Sequence, residues 1–248
     1  MEITNKLFSY EKMKSTVIGL YKLDIYSFSK SINNCILKEH NNKNRFRNIS
    51  NKKKCISIID SSKIEFHTKT VKDELRYVRL LNKVKKMPFD DTLKKIFETL
   101  DLDLEILDRK IKELSRSELY KLYLSINTMI NKDVYIFNDF TRYLDKNGIK
   151  SFLKLIDILK ANDKVIFIAD SDINVMYNYT KSMIYEKNDK LYLLDTSKAL
   201  TDVDILIKED LPIPTLVKIT YLARNEKNVR LSYHKDVRDI MKDIYKHI

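Results

Sequence analysis

The sequence predicts an α/β fold in which a parallel β-sheet is flanked by helices on both faces. Short apolar runs alternate along the chain with longer segments of helical periodicity, and this alternation is typical of buried parallel strands joined by helices. The runs lie at residues 16–18, 55–59, 134–137 and 164–169, with a fifth at 190–194. A chain of 248 residues can form one large domain or two small ones around an extensive core.

The composition is that of a globular chain rather than a disordered one, with 44% hydrophobic and 33% charged residues. The formal net charge of +12 leaves two interpretations open: an anionic partner, or an ordinary surface solvated by lysines. The most basic stretch, residues 38–54, has seven basic side chains but a single aromatic one, Phe46. It therefore predicts a surface loop rather than a base-stacking platform, which argues against a nucleic-acid partner.

Cysteine and histidine give no sign of a metal site. Cys35 and Cys55 have neither metal-ligand spacing nor the pattern of a disulfide framework, which favours a reducing cytosol, and the four histidines have no ligand spacing either. No signal peptide and no apolar run of about 18 residues is present, so we expect a chain that does not span a membrane by itself.

Helical patterns follow most of the apolar runs. They cover residues 26–37, two segments of 71–113 that Pro88 separates, and residues 149–159. A short helix or turn is predicted at 177–184.

The region after residue 200 has two further helical patterns, at 215–224 and 235–247. We therefore predict a first domain at residues 1–200, with a helical subdomain at about 71–130, and a C-terminal helical extension at 201–248.

The most informative segment runs from residue 114 to residue 145. A helix opens at Ser115, and Glu118 completes the pattern of a capping box. A turn and the strand at 134–137 follow, and Asn138 and Asp139 stand where that strand ends. Taken singly, these are ordinary features: a serine at a helix start is usually a cap, and two polar residues after a strand are usually a turn.

In order and spacing, however, this segment resembles the ATP-binding cassette (ABC) ATPases, in which a signature, a helix, a Walker B strand and a D-loop follow one another. The alignment needs no gap between residues 114 and 140. It places Asn138 at the magnesium-associated aspartate and Asp139 at the catalytic glutamate. The signature positions fall on Ser115, Arg116 and Ser117, and the D-loop on Asp145.

Other parts of the chain are similar to the same family. Asp60 stands at the Q-loop glutamine, and residues 70–75 are similar to the helix start that follows it. Ser171 stands at the switch histidine. The C-terminal part resembles the extension of energy-coupling-factor and cobalt-type ATPases.

The Walker A loop is the weakest match. One register runs from Gly19, with Asp24 at the second glycine, Ile25 at the phosphate-binding lysine and Tyr26 at the following hydroxyl residue. An alternative register places Lys30 and Ser31 at the lysine and serine. The whole chain has two glycines, Gly19 and Gly148, which cannot make a glycine-rich phosphate cradle.

The resemblance implies a P-loop NTPase-like fold and a degenerate site that binds ATP and Mg²⁺ weakly or not at all. It also implies a head-to-tail dimer with a related ABC ATPase or with itself, an integral membrane transport subunit as partner, and a cytoplasmic location on the inner face of the membrane. The candidate catalytic positions are Asp139 and Ser171. The candidate nucleotide-binding positions are Gly19, Asp24, Ile25, Tyr26, Lys30, Ser31, Asp60, Ser115, Arg116, Ser117, Asn138 and Asp145.

Two other functions stay open. The second hypothesis is a divergent but active ATPase that uses Asp139 as base and Lys30 or another basic group for the phosphates. The third is a basic protein that reuses the fold to bind an anionic partner through residues 38–54.

Overall fold

The computed structural model describes residues 13–33, 56–83, 86–187, 190–227 and 229–246, without the side chains of residues 86–89 and 187. The predicted basic loop at 38–54, the two cysteines and the last part of the helix predicted at 26–37 therefore lie outside the described residues.

The described strands are β1 (Val17–Tyr21), β2 (Ile56–Asp60), β3 (Val134–Asn138), β4 (Val165–Asp170), β5 (Ser182–Lys187) and β6 (Lys190–Asp195). They form one sheet in the order β2-β3-β4-β1-β5-β6. Strands β1 and β5 are parallel, as are β2 and β3, whereas β5 and β6 are antiparallel. A two-residue connection separates β5 from β6 along the chain, and so short a connection can join only antiparallel neighbours.

Helices precede or follow these strands, so the predicted α/β sheet flanked by helices is confirmed. Residues 25–33 are helical and are called α1. Two short 3₁₀ segments lie at Leu104–Asp108 and Ile111–Glu113. The other helices are α2 (Val71–Leu81), α3 (Lys86–Thr99), α4 (Arg116–Met129), α5 (Lys146–Ala161), α6 (Ile173–Tyr179), α7 (Thr196–Ala199), α8 (Val203–Lys208), α9 (Thr215–Lys227) and α10 (Val237–Lys246).

Three predicted boundaries were wrong. The first strand does not close at Gly19 but continues to Tyr21. The segment 177–184 is not a single helix or turn, because α6 ends at Tyr179 and β5 begins at Ser182. Pro88 does not separate two helices but lies in the first turn of α3, where a proline removes no helical hydrogen bond.

Gly19 is the central residue of β1, and its place is explained by packing. A β-carbon added there would lie 2.5 Å from Met176 Sδ and 3.2 Å from both Met183 Cβ and Thr180 Cγ2. The absence of a side chain therefore lets β1 pack closely against α6 and β5.

The chain divides into two compact units. Among the described residues, one contains 17–23 and those from 168 onward, and the other contains 13–16 and 24–167. The division predicted at residue 200 stays a prediction.

In the described parts of the chain, no helix is both long and apolar enough to cross a membrane.

An aromatic cluster fills the core of the unit at 24–167. The ring of Phe152 meets that of Phe137 edge-on at 5.0 Å and stacks on that of Phe140 at 4.3 Å, and all three side chains are fully buried. This core supports the carboxyl end of β3, where two of the candidate site residues lie.

Candidate functional site

The connection from β1 to α1 is short and ends in a carboxylate. Three residues, Lys22–Asp24, separate Tyr21 from the first helical residue, so the predicted loop from Gly19 to Tyr26 is not formed. Asp24 caps α1: its Oδ1 accepts a hydrogen bond from the Tyr26 backbone N–H at 3.1 Å, and its Oδ2 accepts one from Ser27 Oγ at 2.6 Å. The hydrogen bond from Ser27 is the main reason why the pKa of Asp24 is lowered.

This cap matters because the N-terminus of a helix is where a phosphate is usually held. Free backbone N–H groups and the helix dipole both attract an anion there. In α1 the anion is the chain's own carboxylate, and the first turn contributes Ile25, Tyr26 and Ser27 but no lysine.

Ile25 and Tyr26 have different surroundings. Ile25 is only 5% exposed and belongs to the core. Its assignment to the position of the phosphate-binding lysine stays a prediction. Tyr26 turns toward β2 and donates a hydrogen bond from its hydroxyl to Asp60 Oδ2 at 2.9 Å. The ammonium of Lys63 lies 4.1 Å from the centre of the Tyr26 ring, a cation–π distance.

Asp60 is the centre of this network. It ends β2, is only 4% exposed, and its Oδ1 accepts hydrogen bonds from the Ser62 N–H (3.0 Å), Ser62 Oγ (2.7 Å) and Asn138 Nδ2 (3.1 Å). Burial alone raises the pKa of Asp60, but the bonds from Ser62, Asn138 and Tyr26 outweigh it and lower the pKa.

The pairing of Asp60 with Asn138 follows from the sheet register, since these residues are direct partners in β2 and β3. The structure therefore brings together two of the predicted site residues, together with Tyr26 from α1. Tyr26 and Asn138 both donate to the Asp60 carboxylate, Tyr26 through its hydroxyl and Asn138 through its N–H₂ group.

Asp139 follows β3 in a left-handed backbone conformation, with φ of 52°. Its Oδ2 lies 2.5 Å from Arg142 Nε, and this ion pair raises the pKa of Arg142. The guanidinium therefore occupies one oxygen of this carboxylate. The catalytic position assigned to Asp139 stays a prediction.

Two buried hydroxyls near these carboxylates have no hydrogen-bond partner among the described residues. They are Ser61 Oγ, directly after Asp60, and the hydroxyl of Tyr120 on α4. Burial strongly raises the pKa of Tyr120, and the charges of Asp139 and Asp60 add to the effect.

The signature residues form the N-terminus of α4. The capping box is confirmed, because Ser115 Oγ accepts from the Glu118 N–H at 3.2 Å and Glu118 Oε2 accepts from the Ser115 N–H at 2.7 Å. Arg109 donates to the other Glu118 oxygen at 2.9 Å. Arg116 is exposed and lies 6.0 Å from the Tyr143 ring centre, and Ser117 is half-buried.

The remaining predicted residues lie apart from the Asp60 network. Lys30 is exposed on the second turn of α1, and Ser31 donates to the Ser27 carbonyl at 3.3 Å. Asp145 caps α5, because its Oδ1 accepts from the Gly148 N–H at 2.7 Å. In the other unit, Ser171 is exposed, and the cap of α6 is Asp172 rather than Ser171.

Sequence reasoning missed three residues of the site: Ser62, Lys63 and Arg142. Ser62 and Lys63 lie two and three residues after Asp60; Ser62 binds its carboxylate, and Lys63 lies over the Tyr26 ring. Arg142 is three residues after Asp139, the spacing at which a turn brings opposite charges together.

Comparison with solved structures identifies the architecture. The ATP-binding subunit of an ABC transporter matches with a TM-score of 0.59 at 13% identity, over 77% of this chain and 83% of that one. CbiO1 from Clostridium perfringens, described as part of the ABC transporter complex CbiONQ, matches with a TM-score of 0.55 at 13% identity, over 84% and 88%.

The chain has the fold of an ABC ATPase domain. No protein-family model matches the sequence.

Curated relatives confirm the predicted resemblance to energy-coupling-factor ATPases. An energy-coupling factor transporter ATP-binding protein, EcfA of Malacoplasma penetrans (strain HF-2), is 21% identical over 178 residues, which cover 71% of this chain and 61% of the relative. EcfA2 of Mesomycoplasma hyopneumoniae (strain 7448) is 27% identical over 143 residues, or 54% of this chain and 47% of the relative. The chain thus spans about half to three-fifths of the length of these relatives.

Proposed function

We propose that this chain is a degenerate ABC subunit that binds ATP and Mg²⁺ weakly or not at all. It has a structural or regulatory role in a membrane transport complex of the energy-coupling-factor type. The transport role rests on the names of its relatives, which are energy-coupling factor transporter ATP-binding proteins. The degenerate site rests on one observation: the carboxylate of Asp24 caps the helix that follows β1.

A phosphate at the N-terminus of α1 has to displace or approach this carboxylate. Two anions a few ångströms apart repel each other, and no lysine in the first turn compensates. The loop before α1 adds a second obstacle, because its three residues contain no glycine that lets the backbone wrap a phosphate. The described residues at the start of α1 are therefore poorly suited to binding a phosphate.

The metal position supports the same conclusion. Mg²⁺ prefers carboxylate oxygens and water. Asn138 replaces the expected aspartate and donates its N–H₂ group to Asp60, whose carboxylate already accepts four hydrogen bonds. Mg²⁺ at this position competes with these hydrogen bonds for the oxygens of Asp60, and Asn138 offers it a neutral carbonyl oxygen in place of a carboxylate.

We further propose that the chain pairs with a related ABC ATPase, or with itself, beside an integral membrane transport subunit on the cytoplasmic side. In the ABC ATPases that this chain resembles, each nucleotide lies between the Walker A loop of one subunit and the signature of the other. Ser115 is exposed, and its hydroxyl still has a proton to donate while its oxygen accepts from the Glu118 N–H. The chain can thus contribute to a nucleotide that the partner holds.

Steady-state ATP hydrolysis by the purified full chain tests this proposal. The wild type and the Asp139→Asn variant are compared in the presence of Mg²⁺, with an intact ABC ATPase as the positive control. The proposal expects both forms to remain at the background rate. Hydrolysis that requires Mg²⁺ and disappears in Asp139→Asn overturns it and establishes a divergent active ATPase.

A further inference from the structure

The loop that connects β2 to α2 covers residues 61–70 and has no regular secondary structure of its own. All ten residues are described, and Ser61 is the one that is buried, whereas the others are exposed or half-buried. An exposed, irregular segment of this kind is usually among the least stable parts of a protein. Whether it keeps one conformation therefore depends mainly on its polar contacts.

The first end of this loop is held by Asp60. The Asp60 carboxylate accepts from the Ser62 N–H at 3.0 Å and from Ser62 Oγ at 2.7 Å, and the Asp60 carbonyl accepts from the Lys63 N–H at 3.0 Å. Tyr26 of α1 donates to the other carboxylate oxygen at 2.9 Å, and the Lys63 ammonium lies over the Tyr26 ring. Because Asp60 is buried and pairs with β3, this end is fixed both to the sheet and to α1.

The second end is held by Glu74, in the first turn of α2. Glu74 is only 2% exposed, and its Oε2 accepts from the His67 N–H and the Thr68 N–H, each at 2.8 Å. Its Oε1 lies 3.4 Å from His67 Nδ1. A buried carboxylate is costly unless hydrogen bonds compensate for the lost water, so these two backbone amides and Glu74 stabilise each other.

The middle of the loop and its junction with α2 have further contacts. The Phe66 ring meets the Tyr123 ring of α4 edge-on at 6.4 Å. The Ile111 N–H donates to the Lys69 carbonyl at 3.0 Å. All the groups that hold the loop belong to the compact unit that contains residues 24–167.

We propose that residues 61–70 form a strap that the chain itself locks at both ends, through the carboxylates of Asp60 and Glu74. The pair of backbone N–H groups on the buried Glu74 oxygen carries the inference, because it fixes an exposed turn of the loop to α2. The conformation of the strap then needs no ligand. The inference does not depend on whether the chain binds or hydrolyses ATP.

Amide hydrogen exchange, resolved at single residues by NMR, tests the inference on the full chain without nucleotide. The N–H groups of Ser62, His67 and Thr68 should exchange at least about tenfold more slowly than those of an unstructured chain, because each donates to a carboxylate. Exchange of these amides at the unstructured rate overturns the inference.

Glu74→Gln releases the second end. It keeps the size of the side chain and removes its charge, so the His67 and Thr68 amides should exchange about tenfold faster. The Ser62 amide should stay within about twofold of its wild-type rate, because separate contacts act independently. Glu98→Gln, the same change at an exposed position of α3, is the matched control and should alter none of these rates.

Tyr26→Phe releases the first end, because it removes only the hydroxyl that binds Asp60. The Ser62 amide should exchange about threefold faster or more, while the Thr68 amide keeps its wild-type rate. Tyr245→Phe removes a hydroxyl that is exposed on α10 and serves as the control.

Amides inside β3 and β4 report on unfolding of the surrounding structure. If Glu74→Gln or Tyr26→Phe accelerates these amides as much as those of the strap, the contacts serve the whole fold rather than the strap, and the inference is overturned. Acceleration confined to the strap supports it.

Repeating the exchange with Mg-ATP separates this inference from the proposed function. The strap amides should keep their rates, and a tenfold slowing with Mg-ATP overturns the inference because the loop is then ordered by the ligand. A rise in melting temperature with unchanged strap rates supports the strap and contradicts only the proposed function. Unprotected strap amides without any rise contradict only the strap.

Discussion

At the scale of single residues, Asp24 does two things at once. It satisfies backbone and side-chain donors at the start of α1, and it places a negative charge where a phosphate-binding helix presents only positive ends of dipoles. The carboxylate that caps α1 is therefore also a negative charge at the helix end that would attract an anion.

Substitution of Asp24 separates the cap from its charge. Asparagine keeps a side-chain oxygen that can accept from the Tyr26 N–H, whereas alanine removes it. We expect Asp24→Ala to lower the urea midpoint of unfolding and Asp24→Asn to leave it close to that of wild type. Equal midpoints for Asp24→Ala and wild type contradict the capping assignment.

Gly19 was assigned to the phosphate loop from its sequence, but it lies inside β1, against Met176. We expect Gly19→Ala to destabilise the protein by about 1–3 kcal/mol through overpacking. The penalty should shrink in a Met176→Ala background, because the atom at 2.5 Å is then absent. Chemical denaturation of the four forms measures this coupling, and an unchanged penalty in that background argues against the packing account.

At the scale of elements, the sequence was most informative where apolar runs were continuous. The strands β3 and β4 and the helix α4 begin and end within a residue or so of their predictions, because burial on both faces and a capping box leave strong patterns. The end of β1 was missed because Leu20 and Tyr21 extend the strand past the glycine that looked like its boundary.

The aromatic cluster around Phe152 should dominate the stability of its region. Phe152 is fully buried between Phe137 and Phe140. Phe152→Ala should reduce the free energy of unfolding by about 3–5 kcal/mol, through the lost transfer energy and the cavity that remains. Phe152→Leu provides the comparison, since it keeps most of the volume, and it should cost clearly less in urea unfolding. Equal costs for the two variants contradict tight packing at this site.

The helix α10 is tied to the preceding segment by Asp243. Its Oδ2 lies 2.7 Å from His234 Nε2 and accepts from the Ser232 N–H at 3.2 Å. The hydrogen bond from His234 is the main reason why the pKa of Asp243 is lowered to about 2 from its ordinary 3.8.

A depressed pKa in the folded state sets the sign of a pH effect. The stabilisation by Asp243 is complete above the ordinary value of 3.8 and is lost as the pH falls toward about 2. The difference in unfolding free energy between wild type and Asp243→Asn should therefore be largest above pH 3.8. It should shrink as the pH falls from 3.8 toward about 2. Urea titrations from pH 6 downward measure it, and a difference that does not change with pH contradicts this assignment.

At the scale of the whole molecule, the fold was predictable and the site only partly. The order of strands, helices and motifs predicted an ABC ATPase architecture, because buried strands that alternate with amphipathic helices leave local sequence patterns. Asp60 and Asn138 were both predicted as site residues from the sequence, and that assignment stays a prediction; their mutual hydrogen bond depends on the register of β2 with β3. The contact of Tyr26 with Asp60 spans 34 positions in sequence and left no local signal.

The central claim is that the Asp24 carboxylate and the Asp60 network leave the chain without an effective nucleotide site. A thermal-shift titration with Mg-ATP tests it most directly, because any ligand that binds only the folded state must raise the melting temperature. Sodium chloride at matched ionic strength is the control. The account predicts the same melting temperature with Mg-ATP as with salt alone, whereas a saturable rise that requires both Mg²⁺ and ATP contradicts it.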